Sequence, residues 1–259
     1  PAREAELLLA EAARISRSFL AVHPSLPLEE AAALRLFEMT ELRCCGEPLQ
    51  YLLGSWEFYG RPLDVAPGVL IPRADTEVLV EQALSLLPPA GRFLDWGTGS
   101  GCIALALLAE RPDLSGVAVD ANPQALSLSW RNLKKHGLLS RCFLWHSRSP
   151  EDIPARDGEF DLVVSNPPYI PSSRLSGLPR EVRKEPLSAL DGGDDGLCWY
   201  REIFRWAPAK LRSGGRLLFE IGDGEQGEQL TGIAPSSLEF NGIFHDMSCK
   251  PRAVSWLRV

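Results

Sequence analysis

The chain predicts an α/β fold, a largely parallel sheet covered by helices on both faces, with a small helical domain in front. Three observations carry this. From about residue 75 onward, short apolar runs alternate with helical stretches, the pattern of strand–helix–strand crossovers. One of these runs, Phe160–Ser165, is apolar almost throughout, as a strand buried on both faces should be. The last two, Leu238–Phe244 and Ala253–Val259, have no helix between them, so the final pair should run antiparallel. A length of 259 residues, 45% hydrophobic and 24% charged, suits a main domain of about 180 residues with a small companion.

In chain order, Leu7, Leu8, Ile15 and Phe19 recur near helical spacing and predict one helix over about Ala2–Leu20. After His23-Pro24-Ser25-Leu26-Pro27, a second covers about Leu28–Leu42; strong helix formers dominate both. Trp56–Tyr59 and Leu63–Val65 flank Gly60 as a hairpin, which Pro67-Gly68 ends. Residues 1–53 are thus expected as a helical domain, 54–73 as a hairpin linker and 74–259 as the α/β domain. Its strands are predicted at Arg92–Trp96, Val117–Asp120, Cys142–His146, Phe160–Ser165 and Arg216–Ile221, before the antiparallel pair. Its helices are predicted at about Asp75–Leu87, Cys102–Glu110, Pro123–His136 and Tyr200–Leu211.

Composition narrows the function classes. A formal net charge of −7 argues against broad nucleic-acid binding. No apolar stretch reaches the roughly 18–20 residues of a membrane span. The N-terminus lacks the pattern of a signal peptide and opens inside a helix, which points to a natural start further upstream. Six scattered cysteines and four dispersed histidines give neither metal spacing nor a disulfide framework. A cytoplasmic monomer with reduced thiols and no metal site is expected. Asp191–Gly196 lacks the alternating ligands of a calcium loop and is expected as a flexible surface loop near the cleft. Arg180–Lys184 is expected as a solvated basic face.

The strand Arg92–Trp96 runs into Gly97-Thr98-Gly99-Ser100-Gly101 and then a helix. Glycines here allow a tight turn and close ligand approach, and the helix start offers unpaired N–H groups. The spacing is Gly-x-Gly-x-Gly, and Asp95 precedes it; an acid there suits a cationic or amino-bearing ligand better than a pyrophosphate. About twenty residues on, Asp120 ends the next strand, where a carboxylate can accept from ribose hydroxyls. The other reading makes Asp120 the cap of the helix starting near Pro123. In this setting the set points to a nucleoside ligand without phosphates, S-adenosylmethionine, leaving as S-adenosylhomocysteine.

Phe160–Ser165 ends abruptly in Asn166-Pro167-Pro168-Tyr169. The prolines fix φ and lack N–H groups, so the corner is stiff and its carbonyls remain free. Asn166 supplies a side-chain acceptor, Pro167 a backbone one, and Tyr169 a flat ring. Two acceptors beside a planar surface can orient a planar NH₂ group, a poor nucleophile, towards a methyl donor. Alone, the tetrapeptide is equally a strand-ending turn; beside a methyl-donor site it favours amino or amide methylation.

With these residues in view, the sequence resembles the protein-(glutamine-N5) methyltransferases of peptide chain release factors, the HemK/PrmC-like family. The likeness covers nearly the whole chain: Gly46–Gly54, Trp56–Gly60, Pro67–Arg73, Asp75-Thr76-Glu77, Gly97–Gly101, Asn166–Tyr169, and Glu185-Pro186 through Asp195-Gly196-Leu197. Asn-Pro-Pro-Tyr alone is shared with DNA adenine methyltransferases; the combination is specific. The resemblance implies a class I methyltransferase domain, Rossmann-like with seven strands, and an N-terminal helical domain that helps seat the protein substrate. The implied reaction methylates the glutamine of the Gly-Gly-Gln loop of class 1 release factors, in translation termination. Gly97, Thr98, Gly99, Ser100, Gly101, Asp120 and Asn166 would then contact the methyl donor. Asn166, Pro167, Pro168 and Tyr169 would hold the glutamine amide, with Arg73 and Phe58 as further substrate-side residues.

There are departures from the family pattern. Trp96 replaces a smaller aliphatic residue, Ala74-Asp75 replaces Pro-Asp, and His146-Ser147-Arg148-Ser149 leaves the adenine contact unassigned. The alternatives are a ribosomal-protein glutamine methyltransferase, a DNA adenine methyltransferase, and a non-catalytic binding module. The DNA reading requires a strongly basic recognition segment that the chain does not show.

Overall fold

The computed structural model describes residues 2–149 and 152–259. Pro1, where the expected helical domain begins, lies outside the described residues. That domain contains α1 (Ala2–Ala13), α2 (Arg17–Val22), α3 (Glu30–Cys44) and α4 (Leu49–Leu53). The single first helix predicted from spacing is two. Arg14 takes a left-handed φ of 56°, and Ser16 then caps α2 by accepting from the Phe19 amide.

The hairpin is β1 (Ser55–Phe58) and β2 (Arg61–Asp64), with Ser55 opposite Asp64. Its inward side chains, Phe58 and Leu63, are buried in the same core as Leu79 and Leu105. The hairpin is therefore fastened to the α/β domain by apolar burial as well as by the chain.

The α/β domain begins with α5 (Thr76–Leu86), β3 (Arg92–Trp96), α6 (Cys102–Glu110), β4 (Ser115–Asp120), α7 (Pro123–Lys135) and β5 (Cys142–His146). It continues with β6 (Phe160–Ser165), α8 (Cys198–Lys210), β7 (Leu211–Glu220), α9 (Gly224–Ile233), β8 (Leu238–His245) and β9 (Pro251–Arg258). The seven-stranded order is β5-β4-β3-β6-β7-β9-β8, and β9 is antiparallel to both neighbours. The other pairings are parallel. Period-2 alternation along β6 sends Leu162 and Val164 into the core with α5 and α6 and Val163 into the core with α8; Phe160 joins Val163 because the register shifts between Phe160 and Leu162. The chain winds outward from β3 to β5 and then returns to β6 on β3's other side. This reversal opens a crevice at the carboxyl ends of β3 and β6.

Helix α9 is absent from the sequence expectation. Gly224, Gly227 and Gly232 depress its propensity, while Asp223 supplies the cap by accepting from the Gln226 amide at 2.9 Å.

One surface expectation is corrected. Asp191 Oδ1 accepts from the Ser172 hydroxyl and the Gly193 amide, and the Gly192 amide donates to the Ile170 carbonyl, so 191–196 is tied down. Arg180–Lys184 is largely exposed, as expected of a solvated face, and it also carries contacts. Arg180 packs over Gly46 and donates to the Cys44 carbonyl, and Lys184 pairs with Glu47 at 3.6 Å. These contacts stitch the helical domain to the α/β domain.

Candidate active site

The loop after β3 is shaped by backbone geometry that only glycine adopts easily. Gly97, Gly99 and Gly101 have φ of 76°, 57° and 83°. The Gly97 and Thr98 amides donate to the Val119 carbonyl, and the Gly99 amide donates to Asp120 Oδ2 at 2.8 Å. Asp120 Oδ1 accepts from the Asn122 amide, also at 2.8 Å. The cap of α7 is Asn122, which accepts from the Gln124 amide, so Asp120 is free of that duty. Burial pushes the Asp120 carboxyl up, against the backbone hydrogen bonds from Asn122 and Gly99.

The expected site residues largely converge on one cleft of about 260 Å³. Gly97, Thr98, Gly99 and Ser100 line it from the β3 loop and Asp120 from the end of β4; Asn166 and Pro168 come from beyond β6 and Arg73 from the hairpin exit. Four expected residues are placed elsewhere. Gly101 turns beneath α7, where a β-carbon would come within 2.5 Å of the Ser129 hydroxyl. Pro167 is buried and does not line the cleft. Tyr169 lines a second, polar hollow with Gln226 on the far side of the corner, its ring against Gly222. Phe58 is 1% exposed, because alternation along β1 turns its ring into the core, and it cannot meet a substrate there.

Asp95 also departs from expectation. It is fully buried, and its Oδ2 accepts from the Thr98 hydroxyl at 2.7 Å and the Ala104 amide at 3.3 Å. It therefore fixes the loop and the start of α6 and does not face a cationic ligand. Burial pushes it up to about 7, and its Oδ1 has no hydrogen-bond partner.

At the corner, Asn166 Nδ2 donates to Thr76 Oγ1 at 3.2 Å. Among the described residues, Asn166 Oδ1 and the Pro167 carbonyl accept no hydrogen bond. Behind the corner, Gln226 Nε2 donates to the Tyr169 and Gly196 carbonyls, each at 3.2 Å, which locks the turn.

Sequence reasoning passed over several other contributors. Trp199 lines the cleft beside Trp96, ring centroids 5.7 Å apart. Trp199 Nε1 donates to the Asp191 carbonyl, which anchors its ring, and the Trp96 backbone carbonyl accepts from the Ser165 hydroxyl. Glu185 is buried, accepts from the Ile71 amide at 3.0 Å and pairs with Arg73, clamping one wall. Ser147 and Arg148, in the segment left unassigned, reach the cleft. A lone acid inside a mixed loop carries no local signal; Glu185 entered only as part of a family-like segment, and its role shows through partners 112 and 114 residues away.

A glycine-loop cleft at the switch point of this sheet defines a methyltransferase-type α/β fold. Solved structures agree: the hMettl16 catalytic domain superposes with a TM-score of 0.62 at 17% identity, covering 90% of this chain and 82% of that one. A methyltransferase from Pyrococcus furiosus gives 0.54 at 15% identity, covering 75% and 87%. Residues 1–54 match the PrmC N-terminal domain and residues 73–176 the methyltransferase small domain. The release factor glutamine methyltransferase of Geobacter sulfurreducens is 47% identical over 89% of this chain and 80% of its own. That of Cereibacter sphaeroides is 41% identical over 98% and 90%. The chain belongs to the release factor glutamine methyltransferase family.

Proposed function

We propose that the protein transfers a methyl group from S-adenosylmethionine to the side-chain amide nitrogen of the glutamine in the Gly-Gly-Gln loop of class 1 peptide chain release factors. The observation that carries this reading is the Asn166 amide, held by Thr76 at the edge of the glycine-loop cleft with its oxygen unengaged. Family membership across both parts of the chain supports the substrate.

The cleft suits the donor. At Gly97 and Gly99 a β-carbon would meet nothing within 4 Å, so the loop backbone is open to close approach. Asp120 keeps lone pairs beyond its two backbone hydrogen bonds, available to ribose hydroxyls. When bound, S-adenosylmethionine supplies a methyl group activated by a sulfonium. The chain's own residues then work by orientation. Asn166 Oδ1 accepts an N–H hydrogen of the glutamine amide and directs its nitrogen at the cleft. The amide nitrogen is a weak nucleophile, so positioning supplies several kcal/mol of the required help. No strong base is needed, because the nitrogen can release its proton after the new bond forms.

The test offers purified protein and labelled donor to release factor and to ribosomal proteins side by side. Label on the Gly-Gly-Gln peptide is expected. Label confined to ribosomal proteins would overturn the substrate assignment, and no label on either would overturn the reaction.

A further inference from the structure

Trp96 is the last residue of β3 and stands where the family pattern has a smaller aliphatic side chain. The glycine loop follows it directly, and β3 pairs in parallel with β6, Asp95 opposite Val164. Trp96 therefore ends level with Ser165, whose hydroxyl donates to its carbonyl at 2.7 Å. Asn166 is the next residue of that chain segment. Trp96 thus stands at the seam between the donor loop and the acceptor corner, which a methyl group passing from one to the other must cross. Trp199, at the start of α8, leans on it with ring centroids 5.7 Å apart and planes inclined at 49°. Both residues are half-buried and line the cleft. Trp199 Nε1 is taken by the Asp191 carbonyl at 3.1 Å, which fixes the ring by its edge and leaves its faces for other contacts.

The donor is a cation, and the cleft offers little negative charge to meet it. Among the described residues that line it, the charged ones are Arg73, Arg148 and a single acid, Asp120. Asp120 already accepts from two backbone amides and is assigned to the ribose, and Asp95 is buried beneath the loop on Thr98 and Ala104. An indole face carries the negative end of a quadrupole and attracts a cation within about 6 Å, most strongly where water is excluded. A neutral thioether receives no such attraction. Methyl transfer breaks the carbon–sulfur bond with its electron pair left on sulfur. The amide nitrogen's pair forms the new bond to carbon, and the nitrogen's proton leaves to water. The charge that an aromatic face attracts is therefore consumed by the reaction.

We propose that Trp96 and Trp199 form an aromatic seat for the donor's sulfonium and make this cleft prefer the charged donor to its neutral product. The proposal rests on the donor assigned above and adds two residues to it. The product loses part of its hold as it forms, which favours its exchange for fresh donor.

The test measures S-adenosylmethionine and S-adenosylhomocysteine affinities by calorimetry, without release factor, in the wild type, Trp96→Leu, Trp199→Leu and Trp96→Phe. The wild type should bind the donor about tenfold more tightly than the product. Each leucine variant should narrow this to about threefold or less by weakening the donor alone, and Trp96→Phe should keep an intermediate preference. The donor's extra methyl is itself apolar, so a second measurement separates charge from contact. Fluorinated tryptophan depletes the ring face of negative charge with little change of shape, and it bypasses any folding defect of the leucine variants. Progressive fluorination of the seven tryptophans should weaken the donor stepwise and leave product affinity within about twofold. An unchanged preference in both leucine variants, an equal loss for donor and product, or a donor affinity indifferent to fluorination overturns the proposal. A wild type that binds neither ligand overturns the donor assignment and the proposal with it. The expected preference without methylation of release factor upholds the pair and overturns only the substrate.

Discussion

Two loops meet at this cleft, and they achieve an exposed backbone in opposite ways. The loop after β3 dispenses with side chains: its glycines sit at positive φ and turn N–H groups towards Val119 and Asp120. The corner after β6 dispenses with N–H groups: its two prolines cannot donate, which leaves carbonyls and the Asn166 oxygen as acceptors. One strand end is thus an open, conformationally permissive seat whose Gly97, Thr98 and Gly99 amides are engaged within the protein, and its neighbour is a stiff wall that offers acceptors. Ribose hydroxyls that donate to Asp120 suit the first, and a planar NH₂ group suits the second. The lesson is that adjacent strand ends can hold two different reactants within one crevice by different backbone chemistry.

The sharpest way to break the comparison is to remove the acceptor from the wall. Asn166→Ala should reduce kcat for methylation by about 10²–10³, the scale for losing one well-placed polar group in an active site. Donor affinity should stay within about twofold, because the seat is untouched. Equal losses in affinity and turnover would mean that the two loops do not divide the work.

The seat should respond in the converse way. Asp120→Asn replaces one of the two carboxylate oxygens that accept from Gly99 and Asn122 with a donor. An increase of about tenfold in the donor's KM with little change in kcat is expected, in line with the loss of a hydrogen bond to a charged group. Isothermal titration with S-adenosylhomocysteine should show the same factor. A fall in kcat alone would place Asp120 with the wall.

The difference between the loops also explains what the sequence made legible. Glycines in a strand–loop–helix setting and prolines closing an apolar strand are local signals, so the sheet, the loop and the corner could be read directly. Thr76 and Glu185 could not, since each acts across 90 or more residues. Phe58 was misplaced because resemblance located its segment near the cleft while alternation turned its ring away from it. Helix α9 was hidden by three glycines, and with it Gln226, which fixes the Tyr169 carbonyl and keeps that ring in the far hollow. Glu220 did leave a trace: like Asp120 it is a lone acid ending an apolar strand, and Asp95 stands one residue before the end of its own.

That pattern of strand-end acids gives the smallest effect and the finest test. Asp120 faces the cleft, whereas Asp95 lies wholly within the protein and is pushed from 3.8 up to about 7 by burial. Its folded-state value is raised, so its contribution to stability is fully present below about pH 4 and is lost as pH rises through 7. Between those limits the unfolded chain has released the proton and the native protein still holds it, which gives a slope of at most about 1.4 kcal/mol per pH unit. Asp95→Asn has no proton to lose, so its denaturant-unfolding free energy should fall less steeply from pH 5 to 7 than that of the wild type. Glu220, raised for the same reason, leaves a residual slope in both proteins. Parallel profiles would mean that Asp95 is ionised in the native state. The donor seat would then carry a buried negative charge beneath Thr98, and the contrast between a seat set by backbone geometry and a wall set by acceptors would have to give way to one in which charge shapes both.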